Sequence, residues 1–317
     1  MVGRWAAQKG VALGQESASL LDLCYDYLFS IVNRAILPPR IIEAPRHGAI
    51  NYHDSPLPRY AGTNATSWAL INQETDHGVT WHLMAEKVDA GAIVRQRHVP
   101  IAPHDTALSL NVMCHEAALA SFADVIADLE SGAAQARAQD LSKRTFFARY
   151  RRPVAGGVFS FAWSAAAIDA LVRALTFGPL PNPLGQARLY VGGRFVVVTR
   201  VEVLPATALA PPGTMTEISP EALTITTADH DIALRAVTTI DGASLALTDF
   251  VARCGLYPGY RFTDLDPAAA QGLAARDRAL RTRSGITSRF RSWSLTSGGR
   301  WGYNEPTTGC YAGRSPR

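Results

Sequence analysis

The sequence predicts an α/β protein with a mostly parallel sheet in its first half and a small β-barrel-like domain in its second half. In the first half, strand patterns at Tyr27–Val32 and Ala49–Tyr52 flank a short helix that begins near Pro38. Strand, helix and strand in this order predict a parallel pair with a crossover connection. In the second half, short strand patterns between turn residues predict a small open barrel.

Composition sets the limits of the prediction. The chain has 317 residues, of which 47% are hydrophobic and 18% are charged. That is enough for one large or two ordinary domains with apolar cores, and it excludes a disordered chain. The net charge of +4 and the pI of about 9.0 permit an anionic partner without requiring one.

The cysteines argue against two kinds of site. Cys24, Cys114, Cys254 and Cys310 are far apart and form no C-x-x-C pair, which disfavours both structural zinc and a disulfide framework. No apolar run approaches the ~20 residues that cross a bilayer, and no signal peptide is visible. We expect a cytoplasmic protein with no membrane partner.

The polar turn at His47–Gly62 is the strongest candidate for a site. Asn51 and His53 are two residues apart at the end of an apolar strand, so their side chains point the same way. An amide that donates hydrogen bonds and an imidazole that carries a proton near neutral pH can therefore face one reacting atom. Pro56 and Pro58 stiffen the following loop. On its own, an Asn-x-His pattern is more often structural than catalytic.

Two further segments strengthen this prediction. Gly78–Met84 reads as a second buried strand, and Val88–Gln96 follows it with Asp89 just before a glycine turn. The run from Gly48 to Gln96 resembles the N-terminal domain of the 10-formyltetrahydrofolate-dependent formyltransferases. That family includes methionyl-tRNA, amino-sugar and glycinamide ribonucleotide formyltransferases.

The resemblance implies a Rossmann-like fold and a set of site residues. It implies Asn51, His53 and Asp89 as the catalytic set, with no metal. It also implies folate contacts from the loop Ser55, Pro56, Leu57 and Pro58, and 10-formyltetrahydrofolate as the formyl donor. Pro56 stands where many relatives carry Leu, which keeps the loop apolar and removes one N–H donor.

The rest of the first half predicts two helices. A short one spans Thr66–Gln73 with Thr66 or Ser67 as its cap, and a long amphipathic one spans Asp105–Ala127. Trp68 and Trp81 are interpreted as core residues rather than pterin-stacking residues. His82, next to Trp81, is interpreted as a core histidine with its hydrogen bonds satisfied.

The predicted domain organisation has four parts. Residues 1–140 form the catalytic domain, 141–157 a linker, 158–262 a second domain that resembles the C-terminal domain of the same family, and 263–317 a helical junction and disordered tail. The linker is basic, with Lys143, Arg144, Arg149, Arg151 and Arg152. In the second domain the sequence predicts a helix within Phe161–Leu175. Strands are predicted at Ala187–Val191, Phe195–Leu204, Ala222–Thr227, Ile232–Val237 and Leu245–Leu247.

Both ends of the chain carry further predictions. Relatives open with a strand, a helix and a second strand that this sequence lacks, so we expect an N-terminally incomplete catalytic domain. A helix is predicted at Pro267–Arg283 and a disordered tail after it. In a related group the formyltransferase unit stands at the front of nonribosomal peptide synthetases, and Phe262–Leu280 resembles the start of such a junction.

These observations predict transfer of a formyl group from 10-formyltetrahydrofolate to a primary amine. The favoured acceptor is an aminoacyl group on tRNA or a carrier protein. An amino-sugar nucleotide, a small-molecule acceptor, is the alternative within the same fold. A third hypothesis is an inactive remnant that binds folate or a partner protein. The resemblance implies no DNA partner.

Overall fold

The computed structural model describes residues 24–266 except 34 and 206–209, and beyond them only 21, 268, 269, 272, 293–295 and 301–303. The first half contains the following elements: β1 (Tyr27–Ser30), α1 (Pro39–Ile42), β2 (Gly48–His53), β3 (Ala61–Gly62), α2 (Ala65–Ile71), β4 (Asp76–Leu83), β5 (Ile93–Pro100) and α3 (Ala107–Glu130). The strands and helices predicted here are present, with ends that differ by up to five residues.

The first sheet has the strand order β1-β2-β4-β5. The β1/β2 pair is parallel across its α1 crossover, as the strand–helix–strand order predicts. The other two pairs are antiparallel, so the sheet is mixed. The nine residues between β4 and β5, 84–92, can reverse the chain but are too few for the crossover of about a dozen or more residues that a parallel pair needs.

Helix α3 covers one face of this sheet. Thr106 and Ser109 form a capping box at its N-terminus, and Leu110, Cys114 and Phe122 are buried along one side. Among the described helices, α3 alone has the length and the mean hydropathy, 1.2, of a membrane span. Its buried residues recur three to four apart, which is the spacing of an amphipathic helix packed on a core. Trp81 of β4 donates to Ser121 of α3 at 2.9 Å, so it is a core residue as predicted.

The second half begins with a two-residue strand, β6 (Phe146–Phe147), followed by α4 (Ala165–Leu175). Its strands and last helix are β7 (Arg188–Val191), β8 (Arg194–Leu204), β9 (Met215–Ile218), β10 (Leu223–Thr226), β11 (Asp231–Thr238), β12 (Ser244–Leu245) and α5 (Leu247–Cys254). The strands form a curled antiparallel sheet in the order β7-β8-β11-β10-β9, with β12 paired to β11. The predicted α/β fold class with a second, barrel-like domain is confirmed.

Two elements of this half differ from the sequence predictions. β9 was not predicted, because four residues that alternate weakly in polarity give little signal. The strand predicted at Leu245–Leu247 ends at Leu245, and a helix begins at Leu247. Leu247 and Phe250 are both buried, and their spacing of three fits one helical face.

One apolar cluster spans the predicted catalytic and C-terminal domains, and a second lies between α3 and the first sheet. Trp68 of α2 and Phe147 of β6 belong to the same buried cluster as Ile168 of α4 and Leu189 of β7. Strand β6, from the segment between the domains, pairs in parallel with β3. The linker is therefore packed against the end of the polar turn at His47–Gly62.

Beyond residue 266, most of the predicted helix and tail lie outside the described residues. The described parts of the tail are two antiparallel strands, β13 (Trp293–Leu295) and β14 (Trp301–Tyr303).

Candidate active site

The end of β2 and the middle of β4 bring four polar side chains to one region. Asn51 and His53 share a face of β2 because side chains alternate along a strand. In the antiparallel register, Asn51 lies opposite His82 and His53 lies opposite Thr80. Directly opposed residues project to the same face of a sheet, so His82 and Thr80 join Asn51 and His53 there.

His53 has a defined tautomer. Its Nε2 lies 2.9 Å from the carbonyl oxygen of Tyr60, which can only accept, so Nε2 carries the proton and donates. In the neutral imidazole, Nδ1 then holds a lone pair. That atom lies 3.7 Å from Oδ2 of Asp89 and 3.9 Å from Oδ1 of Asp54. His53 is buried, with 6% of its surface exposed.

His82 is arranged in the same way. Its Nδ1 lies 2.8 Å from the carbonyl oxygen of Leu83, so Nδ1 is the donor and Nε2 carries the lone pair in the neutral form. Nε2 lies 3.3 Å from the amide nitrogen Nδ2 of Asn51 and 3.6 Å from Oδ1 of Asp89. His82 is buried as predicted, but its contacts place it beside the candidate catalytic residues rather than in the apolar core.

Asp89 stands between the two imidazoles on the turn that joins β4 and β5. Its Oδ2 accepts a hydrogen bond of 2.8 Å from the backbone N–H of Gly62. Burial alone raises the pKa of Asp89, but the neighbouring His82, His53 and the Gly62 N–H outweigh burial and leave this pKa below its ordinary value. The carboxylate is therefore the form that this environment favours.

Asn51 uses both hydrogens of its amide within the protein. Nδ2 donates to the carbonyl oxygen of Tyr52 at 3.0 Å and to Nε2 of His82 at 3.3 Å. Asn51 is half-buried while its neighbours Tyr52 and His53 are buried. It is therefore the member of the set with the most open side chain.

The predicted folate loop, Ser55–Pro58, is fixed by side chains from β4 and β5. The hydroxyl of Thr80 donates to the carbonyl of Ser55 and accepts from the N–H of Leu57. Nε2 of Gln96 donates to the carbonyl of Leu57 at 2.9 Å and to the Thr80 hydroxyl at 2.8 Å. The peptide bond between Leu57 and Pro58 is cis. The backbone of the loop is thus held in one conformation by a buried polar network.

Two loop side chains point into the protein. The Ser55 hydroxyl donates to the carbonyl of Arg59 at 2.9 Å, and Leu57 is 3% exposed. Behind the loop, Nε2 of His77 lies 2.8 Å from the carbonyl of Asp54, and burial lowers the pKa of this imidazole. The groups that the loop offers to a ligand are therefore mainly backbone groups and the prolines.

The structure brings the three predicted catalytic residues into one cluster and adds His82, which sequence reasoning missed. The signal that could have found it is the hairpin register, since Asn51 and His82 become neighbours once β2 and β4 are paired in antiparallel. The interpretation of His82 as a buried histidine with its hydrogen bonds satisfied is confirmed, and its partners lie among the candidate catalytic residues. Among the described residues, no three His, Cys, Asp or Glu side chains are arranged to hold a metal ion.

Comparisons with known proteins identify the family of both halves of the chain. Residues 21–126 match the family model described as "Formyl transferase", and residues 155–255 match that described as "Formyl transferase, C-terminal domain". The first match contains Asn51, His53, His82 and Asp89. The second contains the curled antiparallel sheet.

Solved structures share the fold at low sequence identity. An N-formyltransferase from Helicobacter canadensis, solved with folinic acid and dTDP-3-aminofucose, has 19% identity and a TM-score of 0.58 over 73% of this chain and 81% of its own. WlaRD, a sugar 3N-formyltransferase solved with dTDP and 5-N-formyl-THF, has 18% identity and a TM-score of 0.55 over 73% of this chain and 80% of its own.

HypX from Aquifex aeolicus, solved with tetrahydrofolic acid, extends the comparison to a longer protein. It has 17% identity and a TM-score of 0.56, and the match covers 79% of this chain but 43% of HypX. The two family-model matches together span about two thirds of the sequence, and each falls on one of the two sheets. The chain therefore belongs to the formyltransferase family.

Proposed function

We propose that this formyltransferase transfers the formyl group of 10-formyltetrahydrofolate to a primary amine, with Asn51, His53 and Asp89 as its catalytic residues. The observation that carries the proposal is the position of one carboxylate between two imidazoles. Asp89 lies 3.7 Å from Nδ1 of His53 and 3.6 Å from Nε2 of His82. No metal is needed in this scheme.

The hydrogen-bond acceptors of the cluster suit an amine substrate. His53 and His82 each commit one ring nitrogen to a backbone carbonyl, so the other nitrogen of each accepts a proton in the neutral imidazole. The Asp89 carboxylate lies beside both rings, and the donors of the cluster itself are the Asn51 amide and the Gly62 N–H. A primary amine supplies N–H donors to such a group of acceptors. As its nitrogen attacks the formyl carbon, the proton it must lose passes to Asp89 or His53. The bond from the formyl carbon to N10 then breaks, and that proton goes to N10.

Asn51 stabilises the charge that develops on the formyl oxygen. To donate to that oxygen, its amide must give up one of its two present partners. The hydrogen bond to His82, at 3.3 Å, is longer than the bond to Tyr52, at 3.0 Å, and is the one we expect to exchange. A donor aimed at a developing oxyanion contributes about 10²-fold or more to the rate.

Folate binding by the Ser55–Pro58 loop is supported by its construction. Thr80 and Gln96 hold the loop backbone in place before any ligand arrives, so little ordering remains to be done on binding. The N-formyltransferase from Helicobacter canadensis, WlaRD and HypX were each solved with a folate. We expect the pterin to meet backbone groups of this loop.

The acceptor that we propose first is an amino-sugar nucleotide. The relatives named above include proteins solved with dTDP-3-aminofucose and with dTDP, which favours this class over others. An aminoacyl group on tRNA or a carrier protein is the second candidate. It is favoured by the exposed Arg149 and Arg151, which make the segment next to β6 suited to phosphate groups.

A parallel assay tests both parts of the proposal. Purified full-length protein is mixed with 10-formyltetrahydrofolate and, in separate reactions, dTDP-linked 3- and 4-amino sugars, aminoacyl-tRNA and an aminoacyl-loaded carrier protein. We expect formylated product with one acceptor class and loss of at least ~10²-fold in rate for Asn51→Ala, His53→Ala and Asp89→Ala. Folinic acid binding without any product would instead support the inactive remnant. Wild-type rates in the three variants would refute the assignment of residues.

A further inference from the structure

The turn that carries Asp89 is held by side chains from outside the first sheet. Nε2 of Gln139 donates to the carbonyl of Asp89 at 3.0 Å and to the carbonyl of Gly91 at 2.6 Å. Nη2 of Arg144 donates to the carbonyl of Val88 at 2.9 Å. Three carbonyls of the turn thus accept hydrogen bonds from a segment that follows α3 and leads to the second domain.

This turn has a conformation that needs support. Asp89 has φ of +53°, in the left-handed region, where a residue with a Cβ is strained by about 1–2 kcal/mol. Released from its contacts, the backbone at Asp89 would relax toward negative φ. The carboxylate would then leave the position in which Gly62, His53 and His82 surround it.

The same segment also fixes the other side of the carboxylate. Phe147 in β6 pairs with Gly62 in β3, and the N–H of Gly62 donates to Oδ2 of Asp89. The hydroxyl of Thr145 accepts from the N–H of Tyr60 at 2.7 Å, and the Tyr60 carbonyl accepts from His53. The linker therefore contacts both the backbone that carries Asp89 and the backbone that orients its partners.

We propose that Gln139 is a positioning residue for formyl transfer, which fixes the carboxylate of Asp89 by holding the backbone of its turn. This inference rests on the proposed function, since it gives Asp89 a part in the reaction. Gln139 makes both of its bonds to carbonyl oxygens, so its side-chain NH₂ group is required there and a carboxylate or a thioether cannot replace it.

Loss of Gln139 changes the electrostatics of Asp89 in a known direction. The groups that face this carboxylate are His53 from β2, His82 from β4 and the N–H of Gly62 from β3. Arg144, from the segment after α3, is the charged group bound to the turn, at the Val88 carbonyl. All of these favour the ionised carboxyl, so a turn that moves away from them raises the pKa of Asp89 toward its ordinary value.

The matched pair Gln139→Met and Gln135→Met tests the proposal. Gln135 is exposed on the same segment, four residues before Gln139, and has the same side chain. Folinic acid affinity, kcat and KM with the acceptor from the assay above, and the titration of ¹³C-labelled aspartate carboxyls are measured in both. The signal of Asp89 is identified by its loss in Asp89→Asn. Gln139→Asn, which shortens the reach by one methylene, provides a second variant if Gln139→Met folds poorly.

We expect Gln139→Met to lower kcat by about 10- to 100-fold, because a displacement of ~1 Å has an effect of this size. KM for 10-formyltetrahydrofolate should stay within about twofold, since the Ser55–Pro58 loop is held by other residues, and Asp89 should titrate at higher pH than in Gln135→Met. An Asp89 titration that is identical in the two variants would overturn the proposal. This titration needs no acceptor, so it decides the role of Gln139 even if the wild-type protein transfers no formyl group.

Discussion

The amide Nδ2 of Asn51 lies 3.3 Å from Nε2 of His82, directly across the antiparallel β2/β4 pair. His82 Nδ1 is committed to the carbonyl of Leu83, so Nε2 is free to accept from Asn51. This contact fixes the rotation of the amide before a substrate binds. It also gives Asn51 a partner that it can exchange for the formyl oxygen.

Replacement of His82 tests whether this contact matters for turnover. His82→Leu removes the acceptor for Asn51 and one neighbour of Asp89, so we expect kcat to fall by about 10- to 100-fold. His82→Gln keeps an acceptor oxygen and should lose less. Steady-state kinetics with the acceptor identified by the assay above compare the two.

A matched control separates this effect from the general effect of removing a histidine side chain. His98 lies on β5 with 78% of its side chain exposed and pairs with Asp76 away from the cluster. His98→Leu should keep wild-type turnover. Equal rates in His82→Leu and His98→Leu would show that the contact with Asn51 has no part in the reaction.

The lowered pKa of Asp89 predicts how stability depends on pH. Because folding lowers this pKa, the folded protein favours the carboxylate, and the stabilisation is fully present above the unfolded-state pKa of about 3.9. It is lost as the pH falls from there through the folded-state pKa. Denaturant unfolding of the wild type and of Asp89→Asn should therefore show a difference in unfolding free energy that shrinks below about pH 4. A difference that grows toward acid pH would contradict the direction of the shift.

Local patterns predicted most of the elements that build the site. The alternating residues before Asn51 specify β2, and the Ser164 cap and apolar spacing specify α4. The α2 helix was predicted one residue late, because its N-cap is Asn64 in a left-handed conformation with no side-chain hydrogen bond to the helix. Such a cap leaves no Ser or Thr signal at the right position.

Contacts between segments that are far apart in the sequence could not be predicted from local patterns. In the sequence, His82 looks like an ordinary buried residue and Gln139 like a residue of the segment after α3. Their partners become visible only with the register of β2 and β4 and with the return of that segment to the Asp89 turn. The mixed sheet has the same cause. Strand patterns do not indicate strand direction, and the nine-residue β4–β5 connection is too short for a parallel crossover, so that pair is antiparallel.

The hydrogen bonds of the Thr80 hydroxyl predict how folate affinity depends on a fixed Ser55–Pro58 loop. Thr80→Val removes an acceptor for the Leu57 N–H and a donor to the Ser55 carbonyl, which keep only their mutual hydrogen bond of 3.1 Å. It also removes an acceptor of Gln96, and we expect a loss of about 1–3 kcal/mol in unfolding free energy. We expect folinic acid to bind about tenfold more weakly, measured by calorimetry, because the loop must be ordered on binding. Thr216→Val in β9, which loses a hydrogen bond to the Thr224 carbonyl, should lower stability and keep folate affinity. Unchanged affinity in Thr80→Val would argue against the loop as the folate site.

Gly91 sets how closely the Asp89 turn can approach β4. A Cβ on Gly91 would lie 1.8 Å from the carbonyl oxygen of Leu83, and backbone atoms cannot yield as a flexible side chain would. Gly91→Ala must therefore push the turn away from β4 and separate Asp89 from His82. We expect turnover to be lost, with a decrease of about 1–3 kcal/mol in unfolding free energy.

The control for Gly91→Ala is Gly132→Ala at the end of α3. Gly132 has φ of +70° and no atom within 4 Å of an added Cβ, so this change strains the backbone by about 1–2 kcal/mol without any collision. The two variants should lose similar stability in denaturant unfolding, yet only Gly91→Ala should lose formyl transfer. Because overall stability is matched, full activity in Gly91→Ala would mean that the distance between Asp89 and His82 does not limit the reaction.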